Sequence, residues 1–171
     1  APAAVGHAAQ RRTRAVRHSA GRDARHRVHH HPQTVIGDVD DETAREVAWS
    51  LGQVRRREFE LQLDGLSSFG GRKPRAVVAT VAQSPSVMEL QAEHERLMQR
   101  VGLEPEGRNF TPHITLARLR DATSYEVAEY LSTRGGFRWP AFKVSRFVLF
   151  SSRASVGGGP YVVEAAYPLA A

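Results

Sequence analysis

The stretch Phe110-Thr-Pro-His113-Ile-Thr115-Leu-Ala-Arg118 decides how this chain is read. Read as an extended strand over 110–119, it places His113, Thr115 and Ala117 on one face, while Ile114 and Leu116 turn to the other and pack into a core. An imidazole beside a hydroxyl on a sheet face is a usable active-site floor. The imidazole moves a proton near neutral pH, the hydroxyl hydrogen-bonds a phosphate oxygen, and Pro112 helps to fix the approach of the chain. Strict alternation puts Arg118 on the face opposite His113 unless the strand bulges, so it pairs as readily with an acid as with a phosphate. Alone, the H-x-T tripeptide is a weak signal, since average residue usage produces one in roughly every sixth chain of this length.

Working outward, the flanking segments alternate helix and strand without a regular parallel repeat, which predicts an α+β class. Asp40, Asp41 and Glu42 open a helix with Ala44, Val47, Ala48, Leu51 and Val54 on its apolar face and Arg55 to Arg57 closing it. Phe59, Leu61 and Leu63 alternate as a strand, Gly70, Gly71 and Pro74 mark a loop, and 75–81 is a second strand. A helix starting at Ser84-Pro85 or at Ser86 buries Val87, Leu90, His94, Leu97, Met98 and Val101 and stops at Gly102. His94, on that apolar face, is read as a core or rim histidine. Beyond the central stretch come a short helix over 125–131 and strands over 142–150 and 161–167, with Gly157-Gly-Gly159 as a hairpin loop.

The 171 residues suffice for one domain with a proper core. Absence of cysteine excludes disulfides, cysteine-based zinc sites and thiol nucleophiles. No run approaches the ~18 apolar residues of a membrane helix, and the charged, histidine-rich start does not hold the apolar stretch of a signal peptide, so a cytoplasmic location is expected. The net charge of +6 is misleading: residues 1–31 carry seven arginines against Asp23, while 32–171 carry 17 basic and 17 acidic side chains. That first stretch also holds six of the eight histidines, and it lacks Leu, Ile, Met and every aromatic residue. It cannot build much core. Residues 1–35 are therefore set apart as an anomalous Arg/His-rich segment, expected to be disordered or a translation in the wrong reading frame. Its tract His29-His30-His31 carries imidazoles that suit zinc, copper or nickel, as adventitious ligands.

The sequence from 36 to 169 resembles the 2H phosphoesterases, and within them the RNA 2′,3′-cyclic phosphodiesterases, also described as 2′-5′ RNA ligase-like proteins. The second of that family's two H-x-T-hydrophobic motifs has the form F-x-P-H-x-T-L-A-R, as at 110–118 here. Gly37-Asp-Val-Asp40 resembles the turn after the first motif; Asp64-Gly-Leu to Phe69-Gly, then Pro74-Arg75, resembles the family's middle. Phe147-Val-Leu-Phe-Ser-Ser-Arg153 with Gly158, Tyr161 and Tyr167-Pro-Leu169 resembles its last strands. The first motif departs from the pattern. Its histidine stands seven residues before the glycine, which falls on His30, but the threonine position holds Pro32, and Gln33 and Val35 stand at the hydrophobic and aromatic positions.

The resemblance implies a two-lobed domain over 36–171, its first lobe incomplete, with two antiparallel sheets facing a central cleft and helices outside. It implies His113 as general base, His30 as general acid, and Thr115 and Arg118 as substrate-binding residues. The reaction implied is hydrolysis of RNA 2′,3′-cyclic phosphate ends to 2′-phosphomonoesters, with 2′-5′ ligase-type chemistry as its reverse, no cofactor, no metal, and a monomeric protein whose partner is RNA. The alternative is a catalytically impaired RNA-binding relative with a degenerate first motif, or a remnant whose histidine is inert.

Overall fold

The computed structural model describes residues 8–12, 35–152 and 161–171. The elements run β1 (Ala8–Arg12), β2 (Val35–Asp38), α1 (Asp41–Leu51), β3 (Phe59–Phe69), β4 (Ala76–Val81), α2 (Pro85–Arg100), β5 (His113–Arg118), α3 (Ser124–Arg134), β6 (Arg138–Val144), β7 (Arg146–Ser152) and β8 (Tyr161–Pro168). They form two four-stranded sheets, ordered β2-β1-β7-β8 and β5-β4-β3-β6. This is the expected two-sheet α+β architecture. The second sheet is antiparallel throughout, as is the β7–β8 pair, whereas β1 runs parallel to both its neighbours. No helix among the described residues is long and apolar enough to cross a membrane.

Local chemistry accounts for the helix starts. Asp40 caps α1, its carboxylate accepting the Thr43 N–H at 2.7 Å, and these bonds hold the carboxyl below its ordinary pKa. Ser84 caps α2 with Pro85 at the first position, and Thr123 and Glu126 close a capping box on α3. The expected arginine end of α1 is wrong. The helix stops at Leu51, because Gly52 caps it and Gln53 and Val54 turn back onto Ser50 and Leu51. Arg55 to Arg57 lie beyond it, and Val54 reaches the core from the turn.

The expected strand over 142–150 is likewise two strands. The break is at Ser145, whose carbonyl accepts the Leu169 N–H at 2.8 Å while the chain passes from one sheet to the other. Phe142 and Val144 precede the break at even positions, and the buried Phe147 and Leu149 follow it at odd ones, so the alternation changes phase. Both sheets share a core of α1 (Val47, Leu51), α2 (Val87, Leu90, Met98), Leu61, Val144, Phe147, Leu149 and Leu169. His94 is buried within it, its ring 4.5 Å from that of Phe147, as its place on the apolar face of α2 predicts.

Candidate active site on the outer strand of the second sheet

Strand β5 lies at the edge of its sheet and pairs with β4 through Thr80↔His113, Ala79↔Ile114, Val78↔Thr115, Val77↔Ala117 and Ala76↔Arg118. Leu116 has no partner in this ladder. It is the extra residue of a β-bulge, opposed together with its neighbour to a single residue of β4. Residues paired across a ladder share a face, and Ala76, Val78 and Thr80 alternate on one face of β4. Their partners Arg118, Thr115 and His113 therefore lie together. The bulge corrects two expectations from strict alternation: Arg118 stands on the His113 face, and Leu116 is half exposed rather than packed in the core.

Strand β3 extends the same face, with Ser67 opposite Val78 and Phe69 opposite Ala76. The Phe69 ring meets the His113 imidazole edge-on, centroids 4.6 Å apart. On the same row, the Thr80 hydroxyl donates to the Asp64 carbonyl. Phe69, Ser67 and Thr80 were not singled out from sequence; the strand alternation of β3 and β4 marks them only once the register is known.

The His113 ring is fixed by its own strand entry. Nδ1 lies 2.8 Å from the Thr111 carbonyl, which only accepts, so Nδ1 carries the proton and donates it. Nε2 is left with its lone pair, buried and without a hydrogen-bond partner. Burial pushes the imidazole pKa below its ordinary 6.5, against the weaker opposing effect of the Thr111 bond. Burial, the larger of the two effects, favours the neutral imidazole, and the Thr111 bond leaves Nε2 as its unprotonated nitrogen, the form a general base must take. Thr115 is partly buried and Arg118 exposed on this floor, and both make further interactions within the protein. His30, the other expected catalytic residue, and the His29–His31 tract lie outside the described residues, as do Gly157 to Gly159.

The LigT-like phosphoesterase family model matches residues 78–161, a span that contains β5 and its bulge. The RNA 2′,3′-cyclic phosphodiesterase of Aeropyrum pernix is 34% identical over 89 residues, which make up 51% of each protein. The chain spans about half the length of this curated relative. Among solved structures, a phosphoesterase aligns with a TM-score of 0.62 at 23% identity, covering 80% of this chain and 74% of its own. Escherichia coli LigT in complex with 3′-AMP aligns with a TM-score of 0.61 at 24% identity, covering 78% of this chain and 72% of its own. These two structures share the fold.

Proposed function

We propose that this chain, LigT-like over 78–161, is a 2H phosphoesterase and that it hydrolyses RNA 2′,3′-cyclic phosphate ends to 2′-phosphomonoesters. The observation that carries this reading is the setting of His113: Nδ1 lies 2.8 Å from the Thr111 carbonyl and Nε2 has no hydrogen-bond partner, with Thr115 and Arg118 on the same face. In the proposed reaction Nε2 takes a proton from water as the water oxygen bonds to phosphorus. The bond from phosphorus to the ribose 3′ oxygen breaks, and that oxygen takes a proton from a second histidine on the far side, which the family pattern aligns with His30. Thr115 donates to a non-bridging oxygen and Arg118 neutralises the charge that accumulates there. With a ribose 5′-hydroxyl in place of water the same steps form a 2′-5′ linkage, and run backwards they cleave that linkage to a cyclic phosphate and a free 5′-hydroxyl.

The test is hydrolysis of an RNA ending in a 2′,3′-cyclic phosphate in the presence of a chelator, with identification of the product. A 2′-phosphate end formed at an undiminished rate is expected. Activity lost to the chelator and restored by zinc or manganese would reject the two-histidine mechanism, and a 3′-phosphate product would reverse the assignment of the leaving oxygen.

A second reading, an RNA-binding relative that no longer turns over, is favoured by Pro32 at the threonine position of the first motif. RNA binding without hydrolysis in the same assay selects it.

A further inference from the structure

Four cations among the described residues are matched with acids. Arg56 pairs with Glu89 and Glu93, Arg108 with Glu106, Arg138 with Asp64, and Lys143 with Glu58. The turn between β3 and β4 instead gathers several cations close together. Arg72, Lys73 and Arg75 are exposed there and make no side-chain hydrogen bond or ion pair among the described residues. Arg120, also exposed and without such a bond, lies alongside, because the Leu119 N–H donates to the Arg75 carbonyl at 2.8 Å. Arg118 belongs to the same end of the sheet, opposite Ala76. Within 70–76 and 118–123 there are thus five cations, against Asp121 as the sole acid.

This cluster adjoins the candidate site and is held in shape. Phe69, whose ring touches His113, is the last residue of β3 and leads directly into the turn. The turn is closed by Lys73 N–H donating to the Gly70 carbonyl at 3.1 Å and Arg75 N–H donating to the Phe69 carbonyl at 2.7 Å. Gly70 sits at φ 114°, and a Cβ there would lie 2.3 Å from the Lys73 carbonyl oxygen, so only glycine allows this close return. A set of like charges on a fixed turn repels itself and is relieved by a polyanion.

We propose that the β3–β4 turn, through Arg72, Lys73 and Arg75 with Arg120 beside them, is a platform for the phosphodiester backbone of single-stranded RNA, gripping nucleotides on the 5′ side of the reacting end. The proposal rests on the functional reading above, since a cyclic phosphate closes the 3′ end of a chain and leaves the rest of the strand to run off the site in one direction. The platform makes the protein selective for RNA chains over cyclic mononucleotides, because a mononucleotide has no upstream phosphate to offer.

The test compares a short RNA ending in a 2′,3′-cyclic phosphate with 2′,3′-cyclic AMP, using the full chain and its Arg72→Gln/Lys73→Gln variant. For two lost contacts to a single strand, kcat/KM on the RNA should fall on the order of tenfold or more at low salt, and the slope of log affinity against log salt should flatten by about 1.4. Turnover of cyclic AMP should be unchanged. An equal fall on both substrates, or no fall on the RNA, overturns the platform. If the wild-type protein hydrolyses neither substrate, the catalytic reading fails on its own, and fluorescence anisotropy with the same RNA still decides: weaker, less salt-dependent binding by the variant supports the platform, and identical binding rejects it.

Discussion

The two histidines of the expected catalytic pair stand in stretches of opposite quality. Around His113 each level agrees with the next: Pro112 leads into a strand, the strand pairs in register with β4, and the Thr111 carbonyl sets the tautomer. Around His30 the levels conflict. Strands β1 and β2 are parallel neighbours, and such a pair needs a crossover of roughly a dozen residues or more, usually a helix whose apolar face covers the sheet. Residues 13–34, which connect them, contain only Ala and Val as aliphatic side chains, at Ala15, Val16, Ala20, Ala24 and Val28, among arginines and histidines. A sheet topology that calls for a crossover, joined to a connecting sequence so poor in large aliphatic side chains, sets residues 13–34 apart from the chain that follows Ile36.

We attribute the mismatch to translation of residues 1–35 in the wrong reading frame, or an equivalent substitution, and the largest expected effect follows from that proposal. The encoding DNA, read in its other two frames, should yield a hydrophobic strand, an amphipathic helix and an intact H-x-T-L ahead of Gly37. The corrected protein should gain the roughly 10²- to 10⁴-fold that a positioned general acid contributes, together with stability from a completed lobe. If neither frame contains these elements, the idea is wrong and the segment stands as a basic RNA-binding arm.

Within the chain as written, the comparison can be broken by a pair of substitutions. His113→Ala should lower turnover by about 10²- to 10⁴-fold with the fold intact by circular dichroism. His30→Ala should change turnover little if the tract is accidental. An equally large loss at His30 would make it the first-motif acid in spite of Pro32, whereas an unchanged rate in His113→Ala would remove β5 from the chemistry.

How much of this site was legible in the sequence depends on how regular the backbone is. His113 and Thr115 were found because they stand two positions apart on a strand, and a period of two needs no tertiary information. Arg118 was left on the wrong face because the bulge at Leu116 has no mark in residue type; it exists only in the register with β4. Phe69 was invisible for the same reason, since its contact with His113 spans three strands. The caps at Asp40 and Ser84 could be read directly, whereas the sheet change at Ser145 left only a one-residue slip in an apolar run. For His30, three adjacent histidines make the spacing to Gly37 uninformative.

Thr115→Val sharpens the picture of the built half at a smaller scale. It keeps the side-chain shape and deletes the hydroxyl that the proposal aims at a phosphate oxygen. The loss should be about 0.5–1.5 kcal/mol for a neutral hydrogen bond and up to about 3 where the partner is charged, read as weaker binding of a 2′-phosphonucleotide by calorimetry. Equal affinity in the two proteins would take Thr115 out of the site.

The smallest effect concerns what surrounds the base rather than the base itself. Burial holds the His113 pKa below 6.5, and the Phe69 ring edge is one of the apolar surfaces that exclude water from it. A general base works only when unprotonated, so a lowered pKa lets activity persist to more acidic pH than an ordinary imidazole would allow. The acidic limb of kcat/KM should therefore bend below pH 6.5. Phe69→Leu keeps the strand and its register but leaves room for water beside the ring, which favours the imidazolium and moves the limb upward toward 6.5. Turnover well above that pH should hardly change, because the imidazole is neutral there in both proteins. A limb that stays in place would mean that the ring contact does not set the desolvation. A loss of rate at every pH would mean that Phe69 positions His113 instead of drying it.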